Sequence, residues 1–175
     1  MADGILAYDM DALLEALRRV ESSGRIKAVS DKGAVGDMQQ MRATLMQPGY
    51  SIPSIFDVAQ MYGMSPEQTE ESALSLARDP EVARRFAYEY LNKSQREVGN
   101  DMDQMIGSYN AGISGVRGRD VSEFPYEETR NYVPKVRAAY KEMTGSDLPE
   151  RGYSAAPIYQ TQRPQRRPMG LLSME

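Results

Sequence analysis

Cysteine and histidine are both absent from this chain. Without cysteine there are no disulfides, no thiolate nucleophiles and no cysteine metal sites. Without histidine, Ser-His-Asp and Cys-His catalysis and the common zinc sites are excluded as well. Carboxylates are left as the obvious proton-transfer groups, and the sequence asks for no cofactor and no metal. Long apolar runs are missing too: Asp3, Asp9 and Asp11 occupy the first stretch, with no basic segment ahead of a hydrophobic one. Neither a signal peptide nor a membrane span is expected, so export would depend on other components. Basic residues number 21 against 25 acidic ones, a net charge of −4. That balance argues against nucleic acid, whose binding needs a concentrated basic face.

What remains is a chain of 175 residues, 41% hydrophobic and 26% charged, which suits one domain with a tail. Its punctuation is helical. Met10, Leu13, Leu14, Leu17 and Val20 recur at spacings of three and four behind Asp9, predicting a capped first helix that closes at Ser22-Ser23-Gly24. Asp31, Gly33 and Gly36 are turn formers in a loop from Arg25 that has room for a small hairpin. A second helix is expected to turn Met38, Met41 and Leu45 inward. Ser54 with Asp57 opens a short helix, and Ser65-Pro66 and Asp79-Pro80 open two more. The Asp79 helix carries Val82, Ala83, Phe86, Ala87, Tyr90 and Leu91 as its stripe. Another runs from Asp101 through Met105 and Tyr109 to Gly112.

A last helix holds Glu128, Tyr132, Val136 and Tyr140 at four-residue steps, and Pro134 requires it either to start near Arg130 or to kink. No alternating strand stands out, so the predicted fold class is mainly α. Residues 1–146 read as the domain. Residues 147–175, with several prolines and Arg163, Arg166 and Arg167, read as an extended or disordered tail whose apolar end, Met169 to Met174, could dock on a partner.

Glu21 continues the stripe of the first helix. At about 100° per residue it falls within roughly 20–40° of Met10, Leu14 and Leu17, which projects its carboxyl toward the buried side. Desolvation there raises a carboxyl pKa, and a proton held near neutral pH is what a general acid needs. The alternative from periodicity alone is a surface glutamate closing a helix, or one paired with Arg25 or Lys27.

The residues around it narrow the choice. Glu21-Ser22-Ser23-Gly24, then Ala28-Val29-Ser30, then Gly33-Ala34-Val35-Gly36-Asp37-Met38-Gln39-Gln40-Met41 resembles the lysozyme-like lytic transglycosylases of the soluble (SLT) type. Two later segments resemble the same family in the same order: Ile106-Gly107-Ser108-Tyr109-Asn110-Ala111-Gly112 and Glu128-Thr129-Arg130-Asn131-Tyr132-Val133. The resemblance covers about Leu13 to Tyr140. It implies a lysozyme-like helical domain with an active-site cleft, acting on the β-1,4 bond between N-acetylmuramic acid and N-acetylglucosamine in peptidoglycan. It further implies Glu21 as the catalytic carboxyl, with Ser30, Gln39, Met41, Tyr109 and Asn110 lining the sugar site and Glu128 as a second acidic positioner. Read without it, Met38 and Met41 are core positions first, Tyr109 completes an apolar helix face, and Glu128 is a helix N-terminal glutamate favoured by the dipole.

Three positions depart from the family's usual residues. Asp37 stands for leucine, Gln40 for an aliphatic residue and Arg42 for proline. Asp37 could pair with Arg42, or could activate water and turn the outcome toward hydrolysis. The segment containing Pro48-Gly49-Tyr50-Ser51-Ile52-Pro53-Ser54-Ile55-Phe56 looks like phage versions of the enzyme carried in virions. The setting expected from it is a virion protein acting on the host cell wall, with other virion proteins as partners of the tail. A structural virion component retaining the fold, and a muramidase or chitin-directed hydrolase, are the competing readings.

Overall fold

The structure, a computed structural model, describes residues 6–22, 34–36, 38–46 and 52–154. The first helix, α1 (Met10–Ser22), begins where Asp9 Oδ1 accepts the backbone N–H groups of Asp11 and Ala12 at 2.8 and 3.1 Å. Leu13, Leu14 and Leu17 on its inner stripe are fully buried. On the outer face Glu15 pairs with Arg18 and Arg19. Two short helices follow, α2 (Arg42–Met46) and α3 (Ile55–Met61). The second opens on the expected capping box, with Ser54 N–H donating to Asp57 at 2.8 Å and Asp57 N–H donating back to Ser54 Oγ at 3.2 Å.

The next start differs from expectation. Ser65-Pro66 caps nothing; α4 (Glu70–Leu76) begins at Thr69, whose Oγ1 accepts the Ser72 N–H. Residues 67–71 are exposed, and the buried Ala73 and Leu76 come only later. A helix at Ser65 would have had no apolar face to bury, which is what stabilises short helices.

Asp79 accepts the N–H groups of Glu81 and Val82 and launches α5 (Pro80–Glu97), the element the fold is built around. Its Ala83, Ala87, Tyr88 and Leu91 join a core formed with α1, α6 (Met102–Ala111) and α8 (Glu127–Thr144). Its Val82 and Phe86 point into a second, smaller core with Val35, Leu45, Ile55, Val58 and Leu76. One helix thus serves two lobes, and the groove between them follows from that sharing. A short α7 (Ile113–Val116) and a 3-10 turn (Val121–Glu123) connect α6 to α8.

Pro134 neither delays nor ends α8, which starts ahead of it at Glu127 and continues to Gly145 in the left-handed cap conformation. An interior proline, which removes one backbone hydrogen bond and crowds the carbonyl four residues back, costs about 3 kcal/mol. Burial of Tyr132, Val133, Val136 and Tyr140 against the core offsets it.

Two corrections concern the ends of the domain. Mainly α holds, but a two-stranded parallel pairing joins β1 (Leu6–Tyr8) to β2 (Gly152–Ser154), with Leu6 opposite Gly152. Three-residue strands show no readable alternation, and their pairing depends on Gly152, where a Cβ would sit 2.8 Å from the Tyr8 ring. The tail boundary also moves: residues 147–154 belong to the packed domain. Leu148 is buried, Arg137 donates to the carbonyls of Leu148 and Pro149, and Gln95 Nε2 donates to the Gly152 carbonyl at 2.8 Å. The rest of the expected tail, including its apolar end, lies outside the described residues. No helix among the described residues is long and apolar enough to cross a membrane.

Candidate active site

Glu21 lies in the last turn of α1, half-buried on the side the periodicity indicated. Tyr132, buried on α8, donates its phenolic O–H to Glu21 Oε1 at 2.6 Å. Burial pushes the Glu21 carboxyl from 4.5 up to about 7; the Tyr132 hydrogen bond works against that rise, and the nearby Glu128 charge adds to it. Tyr132 is held well above the ordinary phenol value by burial, then by the Glu21 charge and its own donation to Glu21. Its proton therefore stays on the tyrosine, so Glu21 Oε1 is an acceptor and the acid proton belongs on Oε2.

The wall facing α6 is a tight turn rather than the expected start of a helix. Val35 and Gln40 exchange both backbone hydrogen bonds at 3.1 Å, with Gly36 at φ +80° and Gln39 at φ +45° between them. Helix α2 begins only at Arg42, and the two methionines part company as a result. Met38 is 1% exposed and belongs to the core, whereas Met41 is 47% exposed and lines the groove. A single helical stripe would have buried both. Gln39 also lines the groove and closes the turn by donating Nε2 to the Gly36 carbonyl at 2.7 Å.

Opposite stand Tyr109 and Asn110 at the end of α6. Tyr109 donates its hydroxyl to the Met38 carbonyl at 3.0 Å, tying the two walls together, and meets Tyr90 edge-on with ring centroids 5.7 Å apart. Asn110 Oδ1 accepts from Thr129 Oγ1 at 2.6 Å, which fixes its amide against α8. Between the walls is a pocket of about 140 Å³ floored by Phe86 and Tyr90 of α5. It adjoins a second hollow of about 400 Å³ that shares Thr44 and Tyr90 and carries Lys93, Glu97 and Arg117. The groove is thus longer than one sugar-sized pocket.

Glu21 does not line either hollow. Helix α8 links it to the groove: Tyr132 holds Glu21, and Thr129 on the same helix holds Asn110 of the pocket wall. Of the residues expected at the site, Gln39, Met41, Tyr109 and Asn110 gather around one pocket. Glu128 sits exposed in the first turn of α8, close enough to Glu21 to raise its pKa. Its place in the first turn of α8 is that of a helix N-terminal glutamate favoured by the dipole. Ser30, Asp37, Arg25 and Lys27 lie outside the described residues, and so does any pairing of Asp37 with Arg42.

Sequence reasoning missed Tyr132 as the partner of Glu21, and Phe86, Tyr90, Gln40 and Thr44 as lining. The four-residue step from Glu128 to Tyr132 was the available signal, since it puts both on one face of α8.

Fold and site together define a two-lobed helical domain with a desolvated carboxyl beside its groove. The family model of the transglycosylase SLT domain matches residues 7–133, and the chain belongs to that family. Lytic transglycosylase Slt from Pseudomonas aeruginosa, solved as an inactive glutamate-to-glutamine mutant, is similar in fold, with a TM-score of 0.57 and 23% identity over 80% of this chain and 23% of that one. The 70 kDa soluble lytic transglycosylase from Escherichia coli gives 0.57 and 26% identity over 81% of this chain and 23% of that one. A complex of the 70 kDa soluble lytic transglycosylase with bulgecin A gives 0.57 and 26% over 79% and 22%. The chain spans less than a quarter of the length of these enzymes.

Proposed function

We propose that this chain is a peptidoglycan lytic transglycosylase that cleaves the β-1,4 bond between N-acetylmuramic acid and N-acetylglucosamine. The observation that carries the reading is the Glu21 carboxyl, raised to about 7 by burial and held by Tyr132. Family membership supports it. Glu21 gives its proton to the departing glycosidic oxygen as the bond to the anomeric carbon breaks, and the substrate's N-acetyl carbonyl stabilises the positive charge that builds there. The resulting carboxylate, steadied by the Tyr132 hydroxyl, takes the proton of the muramic acid C6 hydroxyl as that oxygen bonds to the same carbon. The product carries a 1,6-anhydro end, Glu21 is protonated again, and no water is consumed.

Met41 and the aromatic floor offer apolar surface to sugar faces, while Gln39, Asn110 and, by resemblance, Ser30 orient the N-acetyl groups. Glu128 acts as a positioner whose charge helps keep Glu21 protonated. Mass spectrometry of digested sacculi tests the reaction: anhydro ends are expected, and reducing ends would point to hydrolysis instead.

Removing the Tyr132 hydroxyl tests the arrangement. Tyr132→Phe takes away a hydrogen bond that favours the carboxylate, so the Glu21 pKa rises further and the alkaline limb of the rate profile moves to higher pH. The rate at the optimum is expected to fall about 10- to 100-fold, the worth of a hydrogen bond to a charged group. An unmoved limb would separate Tyr132 from the proton transfer.

The proposed setting is a phage virion that opens the host wall during genome entry, supported by the resemblance of residues 48–56 to phage versions of the enzyme. Recovering the chain from purified particles tests it; finding it only in lysing cells would favour holin-dependent release.

A further inference from the structure

The two hollows of the groove differ in charge. Among the described residues, the 140 Å³ pocket is lined by uncharged side chains only, with amides, aromatic rings and Met41 among them. The 400 Å³ hollow beside it is lined by Lys93, Glu97 and Arg117. Lys93 and Glu97 stand one turn apart on α5, with Lys93 Nζ 3.6 Å from Glu97 Oε1. Arg117, which follows α7, pairs with Glu97 Oε2 from the other side. Each carboxylate oxygen is thus turned to a different cation. Two positive groups meet one negative group, which leaves positive charge in excess here on a chain whose net charge is −4. Arg117 is the accessible member, with its side chain 52% exposed. A guanidinium carries five N–H donors, more than the one oxygen it faces can use. Lys93 is 13% exposed and set into the wall, so it acts on the hollow through its field, which is less screened there than in bulk solvent.

A neutral sugar gains nothing from surplus positive charge; amides and phenols like those of the first pocket serve it. The glycan of peptidoglycan differs from other N-acetylhexosamine polymers in one feature that fits: the lactyl ether at C3 of muramic acid. That branch ends in a carboxylate or, where a peptide stem is attached, continues to the carboxylates of the stem. The pocket and the hollow share Thr44 and Tyr90, so a strand that fills both sets a neighbouring sugar, or the branch it carries, beside Arg117. We propose that the second hollow is an anion subsite in which Arg117, reinforced by Lys93 and positioned by Glu97, receives a carboxylate carried on the C3 branch of muramic acid. It rests on the peptidoglycan substrate proposed above and is independent of how the bond is broken.

Calorimetry on the full chain carrying Glu21→Gln tests it with three ligands. They are a neutral N-acetylglucosamine tetramer, a peptidoglycan tetrasaccharide with its stems, and the same tetrasaccharide after an amidase has removed the stems and left free lactyl carboxylates. Arg117→Gln is expected to weaken binding of one or both anionic ligands about 3- to 5-fold, the range for a partly exposed ion pair, and to leave the neutral tetramer within about 1.5-fold. Arg117→Lys, which keeps the charge, should restore most of the difference. A loss confined to the stem-bearing ligand places the contact on a stem carboxylate, a loss confined to the stripped one on the lactyl carboxylate, and a loss in both shows that either is received. Arg117→Gln also breaks the ion pair between α5 and the end of α7, so the neutral tetramer serves as the control for structural damage. Equal weakening of all three ligands, or of none, would make Arg117 a cross-link only and overturn the inference while leaving the sugar groove intact. Should the parent bind none of the three, the inference falls together with the sugar-groove reading.

Discussion

Glu21→Gln abolishes muropeptide release from purified sacculi, by at least about 1,000-fold, if this carboxyl supplies both proton transfers. Glutamine keeps the shape and still accepts from Tyr132, but it holds no transferable proton. The parent should lose activity as pH rises through about 7, where Glu21 gives up its proton. The stability that this carboxyl contributes falls over the same pH range. The folded state raises this carboxyl from 4.5 to about 7, so it favours the protonated form. The contribution of that form is complete below about pH 4.5 and is lost as pH rises through about 7. Above neutral pH the parent carries a buried charge that glutamine lacks, and Glu21→Gln should be more stable by about 2–3 kcal/mol.

An inactive variant with a higher melting temperature at pH 8 would exclude misfolding as the cause. Equal release by variant and parent would mean that another group does the chemistry. No release by either would favour the structural virion component.

The second large effect is expected at Gly36→Ala. Gly36 sits at φ +80°, and an added Cβ would lie 2.1 Å from the Ala77 carbonyl oxygen, a backbone atom at the end of α4. Backbone strain and overpacking add, for a loss of about 3–5 kcal/mol. The turn holding Gly36 also presents Gln39, Gln40 and Met41 to the groove, so sugar binding should fall with stability. Gly145→Ala supplies the comparison. Gly145 has φ +72° but nothing within 4 Å of a Cβ, so strain acts alone, at about 1 kcal/mol. Similar losses at the two positions, read from urea midpoints, would remove the clash with Ala77 from the account.

Much of the helical order was legible because its signals are local. Asp9, Ser54, Asp79 and Asp101 cap the helices expected of them through bonds to residues two or three positions on. Ser65 shows the limit of such reasoning, since a good cap sequence does not start a helix that has nothing to bury. Pro134 shows the converse, where long-range burial overrides a local breaker. Glu21 was legible as a carboxyl on a buried stripe, while Tyr132, its partner, lies 111 residues away in the chain and no local pattern joins them. The separation of Met38 from Met41 was equally hidden. It follows from a turn with two positive-φ residues, Gly36 and Gln39, in which Gly36 packs directly against the Ala77 carbonyl.

By itself the sequence determined the periodic stripes, most of the caps, the absence of histidine and cysteine chemistry and the place of Glu21 on a buried stripe, all set by residue type and short spacing. Tertiary structure alone decided that α5 would serve two cores and leave a groove between them, that β2 would close back onto β1, and that one buried phenol would meet one acid. Those outcomes depend on which surfaces exclude water together, and that is a property of the folded whole.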